Sequence, residues 1–253
     1  MRAGRSREGT AMSTMIGCGR PRGVQRTLLL PDAVQGSRAT HYAAALELVP
    51  EPTPGEARLL ELGAGHCEIA RVLRGRGWEV HTADIEASCV AEALALGFPA
   101  TRLDLNAALP YPDGSLHFVV LLEVIEHVVR AEFALGEIGR VLAPGGRLLL
   151  STPNHAFYKS RIRMLKGRPL GMEGDHFRFF VKTQLESLLG EKGFRIAGRN
   201  SSGHLPFMDG RWVRRLLGRR RVLCRIPEWL EATCAINFVW LAERMSSPSR
   251  RLG

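Results

Sequence analysis

Apolar positions along the chain gather into short unbroken runs, with helix-spaced segments and glycine turns between them. Leu59, Leu60 and Leu62 make the first run, residues 78–84, 100–106 and 116–122 carry the next three, and 146–154 and 235–242 follow. Apolar runs bounded by turn residues read as strands buried on both faces, the environment of a parallel sheet covered by helices. Helical spacing lies between them: Glu68, Ile69, Ala70, Val72 and Leu73; residues 87–96; and Leu185, Leu188 and Leu189 behind a Thr183-Gln-Leu-Glu186 capping box. This alternation predicts an α/β fold, a doubly wound sheet with helices on both faces. Residues 37–49 add a helix ahead of the first strand, and Phe194 opens a sixth strand.

The turn after the first strand bears the first chemical signal. Arg58-Leu-Leu-Glu-Leu-Gly-Ala-Gly-His66 passes from strand to helix through Gly63 and Gly65. Such a turn leaves backbone N–H groups beside a helix start, and glycine lets a ligand approach the backbone closely. A dinucleotide fingerprint needs a third glycine or alanine three positions on, where the pyrophosphate rests against the helix. Glu68 stands there, and its charge disfavours NAD and FAD. Asp84 closes the second strand 21 residues beyond Gly63, the separation at which a βαβ unit brings a carboxylate to a ribose diol. With Glu61 and Asp104, three acids end three successive strands.

Glu61-x-Gly-x-Gly resembles the first motif of the class I S-adenosylmethionine (SAM)-dependent methyltransferases. Leu109-Pro-Tyr-Pro-Asp-Gly-Ser resembles the lead-in to their fourth strand, although the usual Phe-Asp pair is Leu116-His117. Arg140-Val-Leu-Ala-Pro-Gly-Gly-Arg-Leu-Leu-Leu-Ser-Thr-Pro-Asn154 resembles their fifth-strand segment, the most family-specific stretch of the chain. The resemblance runs from about residue 38 to 243. It implies a Rossmann-like, seven-stranded sheet, mostly parallel, with an antiparallel last strand that forms a hairpin with the sixth. It also implies SAM as cofactor, held by Glu61, Gly63, Ala64, Gly65, Asp84, Ile85, Asp104, Leu105 and Glu123. In the family, the residues matching Asp84 and Asp104 meet the ribose and the adenine amino group. Cys67 replaces the third glycine often seen in the first motif, which leaves the loop geometry open.

Methyl transfer from a sulfonium is an in-line displacement, for which an enzyme supplies alignment and, for a weak nucleophile, a base or a metal. Glu123, Glu126 and His127 sit at i, i+3 and i+4, so a helix opening after the fourth strand would put all three on one face at the sheet's C-terminal edge. Glu-x-x-Glu-His resembles the metal-binding segment of ubiquinone-pathway O-methyltransferases and of small-RNA 3′-end 2′-O-methyltransferases. In the latter, a histidine from an Asp-His-x-Phe segment completes the site, and His176 in Asp175-His-Phe-Arg-Phe-Phe180 matches it. The same Glu-His pair occurs across the wider family without a metal. The metal-free reading therefore leads, with His127, His176 and Glu126 as catalytic candidates. A divalent metal on Glu123, Glu126, His127 and His176 is the second reading.

Composition changes this picture only at the chain's ends. At 253 residues, 45% hydrophobic and 24% charged, the chain has the makings of one substantial core. Its net charge of +10 is uneven: residues 1–40 hold 7 Arg against 2 acids, 207–253 hold 10 Arg against 4, and 41–206 hold 18 basic and 19 acidic residues. Only 4 of the 35 basic residues are Lys, so the Arg excess is compositional and a nucleic-acid partner is disfavoured. Residues 1–36 and 246–253 read as disordered tails around a methyltransferase domain at 37–245. Residues 211–222 set Trp212, Val213, Leu216 and Leu217 opposite a row of arginines, which suits packing on the sheet or, less favoured, peripheral contact with an anionic membrane. Five cysteines without a C-x-x-C pair, and no 18-residue apolar run or secretory signal, predict a cytoplasmic protein. The expected activity is methyl transfer to an oxygen (or nitrogen) of a small-molecule or lipid-like acceptor. The alternatives are a metal-assisted RNA 2′-O-methyltransferase and an inactive SAM-fold partner protein. Residues 155–182 and 201–233 are expected to shape the acceptor pocket.

Overall fold

The computed structural model describes residues 37–169, 176–203 and 224–245. The order is α1 (Ser37–Leu48), β1 (Arg58–Leu62), α2 (Glu68–Gly75), β2 (Glu79–Asp84), α3 (Ala87–Ala95), β3 (Ala100–Arg102) and β4 (Leu116–Leu122). Then come α4 (Ala131–Val141), β5 (Leu142–Pro153), α5 (Tyr158–Leu165), α6 (Lys182–Glu191) and β6 (Phe194–Arg199). Two-residue strands β7 (Ser202–Gly203) and β8 (Cys224–Arg225), α7 (Glu228–Cys234) and β9 (Ala235–Arg244) complete the described chain. Strands β3, β2, β1, β4 and β5 lie side by side and parallel. β9 runs antiparallel to β5 along one edge and to β6, then β7, along the other.

The unbroken apolar runs have a direct cause, because both faces of the sheet are covered. In β4, Val119 and Leu121 point into a core that includes Leu135 and Ile138 of α4 and Leu185 and Leu189 of α6. Phe118 and Val120 point the other way, toward Leu46 of α1, Ile69 and Leu73 of α2 and Ala93 of α3. Each such Leu, Ile, Val or Phe side chain, fully removed from water, contributes about 1.5–3 kcal/mol. Two polar networks hold the connections. The Arg140 guanidinium donates to the carbonyls of Leu109 (2.9 Å) and Tyr111 (2.9 Å) and pairs with Glu137 (2.8 Å) and Asp113 (2.6 Å), fixing the turn before β4. The buried carboxylate of Glu231 accepts from Trp240 Nε1 (2.7 Å), Arg199 (2.9 Å) and the Ser201 hydroxyl, tying α7 to β6 and β9.

The doubly wound, mostly parallel sheet with an antiparallel strand is as the sequence predicts, with corrections in detail. The expected hairpin between β6 and β9 is an antiparallel pair, but residues 200–234 intervene, and β7 and β8 bring the described sheet to nine strands. The Thr183–Glu186 capping box does not form. Val181 is the extended residue before α6, Thr183 already lies inside the helix, and Glu186 pairs with Arg199 at 2.6 Å. The Ala-Pro-Gly-Gly turn is a wide bulge inside β5, across which pairing jumps from Leu116–Leu142 to Phe118–Arg147. No helix starts directly after β4. Residues 123–124 turn the chain into a single 3₁₀ turn, Ile125–His127, and α4 begins only at Ala131. The tails at 1–36 and 246–253 and the amphipathic segment 211–222 lie outside the described residues. Among those described, no helix is long and apolar enough to cross a membrane.

Candidate active site

The ends of β1, β2, β3 and β4 meet at the sheet's C-terminal edge, where open α/β folds bind ligands. A cleft opens there, lined by Gly63, Asp84, Ile85, Asp104 and Leu105 together with Val124 and His127. Gly63 is indispensable to its shape: φ is +71°, and a Cβ there would lie 2.4 Å from Val124 Cγ2. The turn is braced by Asp84, whose carboxylate accepts the Gly65 N–H (2.9 Å) and the Glu86 N–H (3.0 Å). Asp104 forms an Asx turn, one oxygen accepting both the backbone and the side-chain N–H of Asn106 (2.9 and 2.8 Å). Ile85, 54% exposed, offers an apolar surface beside Asp84.

Not every residue expected at the cofactor lines the cleft. Glu61 is buried beneath the turn, where desolvation, with Glu68 and Asp84 adding like charge, pushes its carboxyl up to about 8 against the pull of the Ala70 N–H. Ala64, Gly65 and Glu123 also stand outside the lining. Cys67 takes the left-handed conformation (φ +59°) that a glycine would adopt without strain, and its thiol is fully buried. The lining fits SAM. It holds two carboxylates and no Lys or Arg, which suits an unphosphorylated, cationic nucleoside and repels a nucleotide phosphate.

Beyond the cleft, the chain gathers acids and histidines. Glu123 sits at φ +57° with its N–H on the Ser151 carbonyl (3.1 Å), and its carboxylate accepts from the Ser151 hydroxyl (2.6 Å) and Asn237 Nδ2 (2.6 Å). Glu126 is buried. Oε2 accepts from the Thr152 hydroxyl (3.1 Å), Oε1 has no hydrogen bond, and desolvation with the nearby Glu123 charge pushes the carboxyl up to about 8. The Glu126 carbonyl accepts the N–H groups of Phe177 (2.9 Å) and Arg178 (3.1 Å), seating residues 176–180 as an extended strap. The Arg178 guanidinium forks onto Glu132 (2.9 and 2.9 Å) and reaches the Val129 carbonyl (2.8 Å). The strap carries the His176 ring to 4.6 Å from that of His127, centroid to centroid and nearly perpendicular.

One ligand atom each from Glu126, His127 and His176 lies within 4.8 Å of the others. Three of the four metal-set residues therefore converge, and Glu123 does not join them, because its carboxylate is turned to Ser151 and Asn237. The physical reason is the missing helix: after a left-handed Glu123 and a 3₁₀ turn, positions 123 and 126 do not share a face. Sequence reasoning missed Ser151, Thr152 and Asn237, which hold these acids, although the Ser-Thr-Pro-Asn motif was a signal. It also missed His155, buried 6.1 Å from the His176 ring and 4.7 Å from that of Phe179. Desolvation lowers the His155 pKa, with His176 adding to the effect, so His155 favours the neutral form. Asp175 lies outside the described residues.

Residues 34–197 match the model of the methyltransferase domain family. A protein described as a probable SAM-dependent methyltransferase in Mycolicibacterium smegmatis is 34% identical over 142 residues, covering 54% of this chain and 52% of that protein. The chain thus spans about half the length of that relative. The ubiquinone/menaquinone biosynthesis C-methyltransferase of Methylobacterium nodulans is 37% identical over 183 residues, covering 61% of this chain and 73% of that protein. Among solved structures, a SAM-dependent methyltransferase from Archaeoglobus fulgidus shares the fold, with a TM-score of 0.60 at 17% identity over 83% of this chain and 95% of that one. A glycine turn fitted to an unphosphorylated nucleoside, on this sheet and with this family match, means that the chain belongs to the SAM-dependent methyltransferases.

Proposed function

We propose that this chain methylates a hydroxyl-bearing small molecule or lipid-like acceptor, with transfer to oxygen and with His127 or His176 as general base. The observation that carries this reading is the histidine pair at the cleft: His127 lines it, and His176 stands against His127. When bound, SAM supplies the electrophilic methyl group. The chain's part is to align the acceptor oxygen with that methyl and to take its proton, as a neutral imidazole can near pH 7. Glu126, with one buried carboxyl oxygen outside any hydrogen bond, is the group that would orient the base or share its proton.

Two alternatives keep a foothold. Transfer to carbon is favoured by the activity for which the M. nodulans relative is named, C-methylation in ubiquinone/menaquinone biosynthesis. A metal-assisted reaction, RNA 2′-O-methylation included, draws on the converging Glu126, His127 and His176, without Glu123 as a ligand. Incubation of hydroxylated aromatic and quinol acceptors with isotopically labelled SAM tests the proposal. An O-methyl product, formed undiminished in a chelator and lost in the His127→Ala or His176→Ala variant, is expected. A C-methyl product, or loss of transfer on chelation with SAM still bound, would replace it with the corresponding alternative. SAM binding without turnover of any acceptor pool would favour the inactive-partner reading.

A further inference from the structure

We propose that α5 is a membrane-contact element that seats this chain on an anionic lipid bilayer. Residues 155–169 hold Lys159, Arg161, Arg163, Lys166 and Arg168 and no acid. Every residue over 161–169 is exposed, and within the helix only Ser160 is buried. Leu165 is 87% exposed, Met164 59% and Ile162 45%. Single exposed apolar side chains are ordinary, but three within four residues, interleaved with cations, form a patch that calls for an apolar partner.

Helix geometry sorts these residues. Tyr158, Ile162 and Leu165, at i, i+4 and i+7, form one ridge. Arg161 flanks it on one side and Lys159, Arg163 and Lys166 on the other. An apolar ridge between cations fits the boundary of headgroups and acyl chains, where the ridge sinks in and the long basic stems snorkel to the phosphates. Among the described residues, four of these cations, Arg161, Arg163, Lys166 and Arg168, are not neutralised by an acid. Arg161 Nε donates to the Ala156 carbonyl (2.7 Å) and Arg163 Nε to the Pro169 carbonyl (2.9 Å), contacts that orient the guanidinium groups and leave their charge. Among the described residues, no carboxylate lies within ion-pair distance of Arg161, Arg163, Lys166 or Arg168. Charge complementarity therefore commits the surface to an anionic bilayer.

The place of α5 matters. It starts three residues after His155, beyond the C-terminal end of β5, at the edge of the sheet where the cleft lies. Phe177 and Phe179 on the strap, 61% and 50% exposed, add outward-facing aromatics beside the histidine cluster. Docking through α5 would bring this edge to the bilayer. The inference stands on exposure and charge and goes beyond the acceptor reading, because vesicle binding is measured with no acceptor present.

Co-sedimentation of the full chain with phosphatidylcholine vesicles, with and without phosphatidylglycerol, tests it. The chain is expected to pellet with the anionic vesicles only, and to be released by high salt. The double variant Arg163→Glu/Lys166→Glu and the single variant Leu165→Asp should each lower partitioning about tenfold. SAM affinity by calorimetry should be unchanged in both, which shows that they are folded. The proposal is overturned if the chain stays in the supernatant at low salt. It is equally overturned if the α5 variants partition like the parent, which would move the contact elsewhere, to 211–222 for instance. Binding of an RNA duplex in preference to anionic vesicles would also overturn it.

Discussion

Glu61 shows what a single side chain does to the balance of forces at this site. Its carboxyl is buried beneath the glycine turn and pushed up to about 8, so the folded chain holds a proton that the unfolded chain releases near its ordinary value of 4.5. For an acid raised in this way, the stabilising contribution is complete below the unfolded pKa and is lost as pH rises through the folded one. The window runs from 4.5 to about 8, and Glu126 acts in the same direction. Thermal unfolding across that window should show Tm falling as pH rises, by about 2–4 °C for each kcal/mol lost. Glu61→Gln, which cannot ionise, should flatten part of that slope; a variant with the parent's slope would show that Glu61 is solvated. Cys67 poses a different balance. A non-glycine residue at φ +59° costs about 1–2 kcal/mol, and burial of its thiol returns a similar amount. Cys67→Gly should therefore move Tm by less than about 4 °C. Gly63→Ala should cost far more, because it drives a Cβ into Val124 at φ +71°, and scanning calorimetry of the two variants separates the cases.

Among the elements, the strap at 176–180 carries His176, the candidate base of the proposed reaction, against His127. It has no helix or strand of its own, and it is held by two N–H groups on the Glu126 carbonyl and by the Arg178 fork on Glu132. Arg178→Ala should loosen His176 while leaving the cofactor turn intact, so methyl transfer should fall about tenfold or more with SAM affinity unchanged. Equal loss of both, or of neither, would contradict the strap's role. What was legible in the sequence follows from the same distinction. Strands such as β4 were readable because burial on both faces leaves an unbroken apolar run, and Asp84 and Asp104 were readable because local spacing puts them at strand ends. The strap was not, since no periodicity marks a segment fixed by a carbonyl and by its own guanidinium on a carboxylate 46 residues away. Glu123 was misplaced for a related reason. Its geometry is imposed by Ser151 and by Asn237, 114 residues on, and those long-range bonds override the i, i+3, i+4 pattern. The capping box yielded likewise to the pairing of Glu186 with Arg199.

On the scale of the whole molecule, one edge of the sheet does the work and the rest makes that edge rigid. Two apolar layers fix the strands, the Arg140 and Glu231 networks fix the connections, and the segments at the strand ends present Gly63, Asp84, Asp104 and His127 toward one cleft. Seven strands and their mostly parallel order could be read from the chain because each βα unit is local. The pairing of β9 between β5 and β6, and the small strands β7 and β8, depend on chain that returns from far along the sequence. The central claim is that the Gly63–Asp84–Asp104 cleft is where SAM binds. Titration calorimetry of SAM into the parent chain and into Asp84→Ala tests it most directly. Asp84 braces Gly65 and faces the cleft, and leaving its partners unsatisfied costs about 1–3 kcal/mol, so affinity should fall ten- to hundredfold. Unchanged affinity in the variant would contradict the placement of the cofactor, and absence of binding by the parent chain would contradict the account as a whole.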